Sequence, residues 1–163
     1  MEKLRWFQGK IKPVNNRNYI KAVSDLVEHA NFDVDICQYH WKWASHSGQA
    51  EYQQFYLKVL SAVRRNIKVR VLLNVEAAGN HLTKINAKTK KTLSDAGADV
   101  KFSPTHPRVH AKFLIIDRIY TVVGSHNFSK QSFTSNDETS VIIKSKKLAM
   151  YFRKYFELLY NRY

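Results

Sequence analysis

The chain has 163 residues, 44% of them hydrophobic, which is enough for one domain with a substantial core and too little for two comfortable ones, so we expect a single domain over 1–163. Its 27 Lys and Arg against 13 Asp and Glu give a formal net charge of +14, which favours a polyanionic partner, either nucleic acid or an anionic membrane surface. Cys37 is the only cysteine, which excludes an intramolecular disulfide and a cysteine-based zinc site within one chain.

The first hundred residues alternate between helical and strand patterns. Apolar residues recur at helical spacing in three segments, and a short strand-like run follows each of them. The three predicted helix and strand pairs cover 19–30 with 31–39, about 49–65 with 68–73, and 82–96 with 99–103. Gly97 is expected to end the third helix as its C-cap.

The remaining residues contain three more predicted strands and a last helix. The strands cover 108–117, 118–124 and 138–144, with a turn at Asp117 and Arg118 and a polar stretch over 125–137. The last helix carries an apolar face between Leu148 and Leu159. Strands that alternate with helices early and cluster late predict an α/β fold, a layered α-β-α sandwich around a mixed β-sheet.

No segment approaches the roughly 18 apolar residues of a membrane span, and the N-terminus has no apolar run of signal-peptide length. A cytoplasmic location is therefore expected.

Two charged residues interrupt the apolar run "VHAKFLIID". The strand period of two puts His110 and Lys112 on one face and Asp117 on the other, so the first two can meet one ligand and Asp117 cannot. An imidazole beside a fixed ammonium suits a phosphate, because the lysine neutralises charge and the histidine can attack phosphorus or move protons.

Further residues downstream fit the same chemistry. Gly124 allows close approach of the backbone, and Ser125 and Asn127 offer a hydroxyl and an amide to the non-bridging phosphate oxygens. Glu138 opens the next predicted strand, and its carboxylate is expected to accept the second ring N–H of His110 and fix the tautomer.

The string His110-x-Lys112-x4-Asp117-x6-Gly124-Ser125-x-Asn127 resembles the HxKx4Dx6GSxN signature of the phospholipase D superfamily, with every defined position matched. Asn136 to Glu138 resembles the family's NxE element. The resemblance implies a phospholipase D-like fold and phosphodiester hydrolysis.

The resemblance also implies residue roles. In this superfamily the motif's histidine forms a phosphohistidine intermediate, and a second histidine protonates the leaving oxygen. Because this chain contains one motif, the resemblance implies a homodimer in which His110 of each chain faces one phosphate at the twofold axis, most like the small dimeric endonucleases of the family. Lys112, Ser125 and Asn127 would hold the phosphate, Asp117 and Gly124 would be structural, and no metal or other cofactor is expected.

The motif does not choose between nucleic acid and lipid, so the rest of the chain must do so. Lysines fall on one stripe of the third predicted helix, and "YHWKW" follows the first predicted strand. The candidate nucleic-acid contacts are Trp41, Lys42, Lys84, Lys88, Lys91 and His126. Trp41, Trp43 and Phe128 fit either base stacking or packing in the core or at the dimer contact, His126 fits either substrate contact or a solvent-facing position, and the lysine stripe also fits an ordinary solvated helix face.

The charge favours a nuclease that acts on DNA, with RNA as a further substrate class. Two alternatives stay open: a phospholipid phosphodiesterase or transphosphatidylase, and a non-catalytic nucleic-acid-binding member of the family. A lipid enzyme would be expected to carry an apolar loop or an amphipathic anchor, and the sequence offers no clear one.

Overall fold

The computed structural model describes residues 5–42, 50–103 and 105–162, which contain seven strands and five helices. In chain order these are β1 (Lys10–Pro13), α1 (Asn18–Glu28), β2 (Asp33–Gln38), α2 (Ala50–Arg64), β3 (Lys68–Leu73), α3 (His81–Asp95), β4 (Asp99–Phe102), β5 (Phe113–Ile116), β6 (Tyr120–Gly124), α4 (Lys130–Thr134), β7 (Ser140–Lys144) and α5 (Lys146–Tyr160). The strands form one sheet in the order β1-β7-β6-β5-β2-β3-β4. Strands β2, β3 and β4 are parallel, whereas β5, β6, β7 and β1 pair antiparallel.

Helices cover both faces of the sheet. Alternate residues of β5 point to opposite faces: Leu114 and Ile116 join the larger core with α1 and α2, while Phe113 and Ile115 join a smaller core with α5. A strand that is buried on both faces requires a continuous apolar run, and β5 is such a run. The predicted α-β-α sandwich around a mixed sheet is confirmed.

Buried charges attach α5 to the sheet. Asp35 on β2 is fully buried, and its carboxylate accepts two hydrogen bonds from Arg70 on β3, at 2.6 Å from Nε and 2.8 Å from the terminal nitrogen. Arg153 on α5 donates to Asp33 at 2.6 Å and to Glu157 at 3.2 Å. Glu157 of α5 also lies 3.6 Å from Arg70 of β3, so ion pairs hold α5 over both β2 and β3.

The turn residues have the predicted backbone conformations. Asp117 and Arg118, between β5 and β6, have φ of 53° and 57°, which suits a tight hairpin turn. Gly97 has φ of +103° just after α3 and its backbone N–H donates to the carbonyl of Ser94 at 2.9 Å, as a helix C-terminus requires.

Three elements differ from the sequence prediction. Strand β1 was not predicted, because all four of its residues are exposed and it shows no apolar alternation. Helix α4 lies inside the stretch expected to be irregular. The strand predicted over 108–117 begins only at Phe113, because Val109 donates its backbone N–H to the Asn74 side chain, at 3.2 Å, rather than to a neighbouring strand.

Candidate active site

His110 and Lys112 lie in the segment just before β5, at the end of the sheet where β2 and β3 finish. The Lys112 ammonium donates to the backbone carbonyl of His110 at 2.7 Å, and its Nζ lies 3.2 Å from Nδ1 and 3.4 Å from Nε2 of the imidazole. The two side chains are therefore adjacent, as strand parity predicted, although they precede the strand.

The surroundings of this pair lower the pKa values of both side chains. Partial burial, followed by the charges of Lys112 and Arg108, holds the pKa of His110 below its ordinary value. Burial also lowers the pKa of Lys112, while the carboxylate of Glu138 acts in the opposite direction. A neutral imidazole is the form that can attack phosphorus, so the lowered pKa suits His110 to nucleophilic work near neutral pH.

Gly124 ends β6 against β7 with no room for a side chain. A Cβ at this position would lie 2.3 Å from the carbonyl oxygen of Thr139 and 2.5 Å from Cα of Ser140. The close approach that the sequence predicted is therefore made to the neighbouring strand. It sets the position of Ser125, whose backbone N–H donates to the carbonyl of Thr139 at 2.9 Å.

Glu138 organises the polar side of the site, but not through His110. Its carboxylate accepts hydrogen bonds from the hydroxyl of Ser125, from the hydroxyl of Ser132 at 2.8 Å and from the amide of Asn136 at 3.1 Å. Burial alone would raise the pKa of Glu138, but these three bonds outweigh it and hold the pKa below its ordinary value. The prediction that Glu138 accepts a bond from His110 of its own chain is wrong, because its oxygens are taken up by Ser125, Ser132 and Asn136.

The motif side chains line one open groove with a volume of about 600 Å³. Its polar side consists of His110, Lys112, Ser125, Asn127 and Glu138, and Phe152 and Tyr155 of α5 form an aromatic side. Among the described residues, no hydrogen-bond donor reaches the buried side-chain oxygen of Asn127. All five residues predicted to be catalytic therefore face the same space.

Asp117 lies at the other end of β5 and contacts a different part of the chain. Its carboxylate accepts backbone N–H groups from Asn31 at 2.9 Å and Phe32 at 2.8 Å, in the connection between α1 and β2, and from Asp33, the first residue of β2, at 3.2 Å. It does not line the groove. These contacts agree with the structural role that the motif implies.

The lysines of α3 form an exposed stripe, as predicted. Lys84, Lys88 and Lys91 are all exposed, and Lys91 pairs with Asp95 at 2.7 Å. Lys42 is exposed close to the same helix, because Asn86 and Thr89 of α3 hold the backbone of Trp41 at 3.0 Å and 2.6 Å.

Two of the predicted nucleic-acid contacts, Trp41 and His126, are wrong because both side chains are buried. Trp41 has no exposed surface and packs edge-on against Phe128, at 4.7 Å between ring centroids. His126 is 1% exposed; its Nε2 donates to the carbonyl of Asn16 at 3.1 Å, and its Nδ1 accepts from the hydroxyl of Ser140 at 2.8 Å. Both are core side chains that cannot meet a substrate. Trp43 lies outside the described residues.

Sequence reasoning missed one neighbour of the motif. Tyr39 follows β2 directly, and the centroid of its ring lies 4.4 Å from that of His110. Its hydroxyl donates to Glu76 at 3.2 Å. The available signal was its position at the carboxyl end of a parallel strand, where binding sites of α/β sheets are usually found.

Comparison with known families identifies this arrangement. A family described as "Cardiolipin synthase, PLD-like domain" matches residues 23–160. The match covers most of the chain and includes the whole motif, so the chain belongs to the phospholipase D superfamily.

Individual relatives carry different activities in their names. The mitochondrial cardiolipin hydrolase of Chlamydomonas reinhardtii is 27% identical over 105 residues, which is 64% of this chain and 45% of that protein. The 5'-3' exonuclease PLD3 of Xenopus laevis is 24% identical over 157 residues, 87% of this chain and 30% of that protein. This chain thus spans less than half the length of these two relatives.

The fold matches a solved member over nearly its whole length. The phospholipase D family member Nuc of Salmonella typhimurium superposes with a TM-score of 0.79 at 17% identity, covering 94% of this chain and 95% of that one.

Within the part of the chain that the structure describes, no helix has the length and apolar character needed to span a membrane.

Proposed function

We propose that this member of the phospholipase D superfamily is an endonuclease that acts through a phosphohistidine at His110. Its main substrate is DNA, whose phosphodiester bonds it hydrolyses, and RNA is a further substrate. The observation that carries the proposal is the convergence of His110, Lys112, Ser125 and Asn127 on one groove. Lys112 and the two polar side chains supply positive charge and hydrogen-bond donors where a phosphate would bind, and His110 supplies the nucleophile.

The proposed reaction has two steps. A ring nitrogen of His110 attacks phosphorus, the P–O bond to the leaving alkoxide breaks, and a second histidine donates a proton to that oxygen. That histidine then takes a proton from water, the water oxygen attacks phosphorus, and the P–N bond breaks to return His110. Lys112 neutralises the charge on the non-bridging oxygens, so no metal ion is required in this scheme.

A second copy of the chain would supply the second histidine. The groove is open, and Tyr155 on its aromatic side is 46% exposed, leaving apolar surface for a partner to cover. In the proposed homodimer, His110 of the partner subunit faces the same phosphate across a twofold axis.

Mixing experiments test this sharing directly. Wild type and His110→Ala are combined in equal amounts, unfolded and refolded together, and assayed against the wild type at the same total concentration. With random pairing, a shared site leaves about one quarter of the activity, because only wild-type pairs have both histidines, whereas independent sites leave about one half. A value near one half would refute the shared site.

The net charge of +14 and the exposed lysines of α3 support nucleic acid as the substrate. Cleavage of fluorescent single-stranded and duplex DNA in EDTA, with wild type beside His110→Ala, tests the proposal. We expect cleavage that survives chelation and disappears in the variant. Binding of DNA without cleavage would favour a non-catalytic nucleic-acid-binding protein.

One observation favours a lipid substrate as the second candidate. Phe152 and Tyr155 give the groove an aromatic side next to its phosphate-binding residues, which is an arrangement that a phospholipid with acyl chains also fits. The name of the cardiolipin hydrolase relative points in the same direction. Formation of phosphatidic acid and phosphatidylglycerol from cardiolipin vesicles, without any cleavage of DNA, would establish this alternative.

A further inference from the structure

Tyr39, which follows β2 directly, contacts His110 from outside the motif. The Tyr39 ring lies 4.4 Å from the imidazole of His110 between centroids, with 55° between the planes. The ammonium of Lys112 lies 5.0 Å from the centre of the same ring. One aromatic ring therefore contacts both motif side chains that are proposed to handle the phosphate.

Glu76 fixes this ring. The Tyr39 hydroxyl donates to Oε1 of Glu76 at 3.2 Å, so the ring is held at its far end as well as at its backbone. The Glu76 side chain is only 17% exposed, and Arg108 pairs with it through Nε, 3.0 Å from Oε1, and through a terminal nitrogen, 3.1 Å from Oε2. The Arg108 side chain is 55% exposed, but a bidentate pair holds its geometry better than a single contact between two flexible side chains does.

The same carboxylate also restrains the chain that carries His110. Arg108 stands two residues before His110, and Val109, between them, donates its backbone N–H to the side chain of buried Asn74 at 3.2 Å. Asn74 in turn donates to Oε1 of Glu76 at 3.3 Å. The connection after β3 thus holds both the ring against which His110 packs and the backbone from which His110 projects.

We propose that Tyr39, Glu76 and Arg108 form a positioning unit that fixes the imidazole of His110 and the ammonium of Lys112 in their working orientation. None of the three lines the groove, so they act through His110 and Lys112 and not on the phosphate itself. The kinetic part of the inference rests on the proposed function, whereas the geometric part concerns His110 alone. None of the three belongs to the HxKx4Dx6GSxN motif.

The electrostatics of the unit provide a readout that packing alone would not change. Among the described residues, the charged and titratable groups that face His110 are Lys112, Arg108, Glu76 and Tyr39. After burial, Lys112 and Arg108 lower the pKa of His110, whereas Glu76 raises it. Loss of the Glu76 charge should therefore lower the His110 pKa further, and loss of the Arg108 charge should raise it.

The test follows the His110 imidazole of the whole chain by NMR titration, with its signal identified from its absence in His110→Gln. We expect the midpoint to move down in Glu76→Gln and up in Arg108→Gln, with no change in Glu28→Gln, which removes a carboxylate that pairs with Lys58 on the far helices. Midpoints that stay fixed, or that move in the same direction in both variants, would overturn the unit.

Tyr39 is tested by two substitutions of different severity. Tyr39→Phe keeps the ring and removes only the hydrogen bond to Glu76, so we expect it to fold even if Tyr39→Leu does not. In cleavage assays we expect Tyr39→Phe to lose about 10-fold in kcat with KM nearly unchanged, because misorientation of a reacting group raises the barrier without weakening binding. Tyr120→Phe is the matched control and should keep full activity, because Tyr120 lies at the end of β6 away from Gly124 and the groove.

The two proposals fail in different ways. If the wild type cleaves no phosphodiester, the proposed function is wrong. The titration of His110 still decides whether Glu76 and Arg108 set the pKa of its imidazole. If the wild type is active and Tyr39→Phe matches it in kcat, the positioning role of the Tyr39 hydroxyl is refuted while the function stands.

Discussion

Substitution of Gly124 by alanine tests whether the close contact between β6 and β7 sets the geometry of the site. The added Cβ would lie 2.0 Å from the hydroxyl oxygen of Ser140, 2.3 Å from the carbonyl oxygen of Thr139 and 2.5 Å from Cα of Ser140. The hydroxyl can rotate away, but the other two atoms belong to the backbone. Restoring an ordinary contact of 3.4 Å therefore requires the Thr139 carbonyl to retreat by roughly 1 Å.

This displacement affects stability and activity together. Overpacking of a sheet interior typically costs 1–3 kcal/mol, and a backbone collision belongs at the upper end, so we expect a loss of about 3 kcal/mol and a fall in Tm of roughly 10 °C. The Thr139 carbonyl accepts the backbone N–H of Ser125, so its movement shifts Ser125 within the groove. A misplacement of about 1 Å can reduce kcat on the order of 100-fold.

Urea and thermal unfolding give the stability, and the phosphodiesterase assay is run well below the unfolding midpoint. Gly79→Ala is the matched control: nothing lies within 4 Å of its added Cβ, and its cost arises only from a φ of +84°. That strain is worth about 1 kcal/mol and should leave kcat unchanged. If Gly124→Ala is no less stable than Gly79→Ala, close approach of the strands does not explain the glycine.

Three further predictions address the fold and the charged surface. Asp117→Ala should destabilise the protein by about 2 kcal/mol, because it leaves backbone N–H groups without their acceptor, while kcat at low temperature stays near the wild-type value; a large loss of kcat without a loss of stability would contradict a structural role. Asp35→Leu should cost about 3 kcal/mol or more, because it removes the bidentate partner of Arg70 and leaves that guanidinium only its 3.6 Å contact with Glu157. The double variant Asp35→Leu with Arg70→Leu should recover most of that loss in urea unfolding, and additive losses would disprove the coupling. Replacing the α3 lysines by glutamine should weaken the salt dependence of binding to single-stranded DNA: the slope of the logarithm of the binding constant against the logarithm of the salt concentration should fall by roughly 2 in magnitude. The control is a set of glutamine substitutions on β1 and β7, and equal slopes for the two sets would exclude the lysines of α3 from binding. The substituted residues are Lys84, Lys88 and Lys91, and the control residues are Lys10, Lys12 and Lys144.

The periodic elements of this fold were predictable from the sequence because burial imposes their pattern. Helices α1, α2, α3 and α5 and strands β2, β3 and β5 each bury a continuous apolar run or face, and each was predicted. Strand β1 carries no such signal, since its residues are exposed and only its pairing with β7, from Lys10 with Lys144 to Pro13 with Val141, makes it a strand. Long-range pairing of this kind is invisible to local pattern.

Within the site, the residue types were predictable and several contacts were not. Strand parity brought His110 and Lys112 together correctly, although both lie before the first residue of β5. The partner of Glu138 was mistaken because Ser132 belongs to α4, a five-residue helix within a polar stretch that no periodicity marks.

The aromatic residues show a second limit of sequence reasoning. Trp41 and His126 stand next to exposed positions along the chain, yet both are buried. The outcome for Trp41 depends on Asn86 and Thr89, which hold its backbone from α3, and the outcome for His126 depends on Ser140 and Asn16. Amphipathic rings fit a core and a substrate cleft equally well, so only tertiary contacts distinguish the two.

The charge balance of the groove explains why a phosphate would bind there. Burial lowers the pKa of Lys112, which means that its cation is less well stabilised than in water, and the nearby Glu138 compensates only in part. That carboxylate is itself occupied by Ser125, Ser132 and Asn136. A phosphate beside Lys112 would supply the missing negative charge, so binding of the anion and retention of the lysine proton should reinforce each other. The same anion would raise the pKa of His110, which shifts the acid limb of activity upward in the complex relative to the free protein.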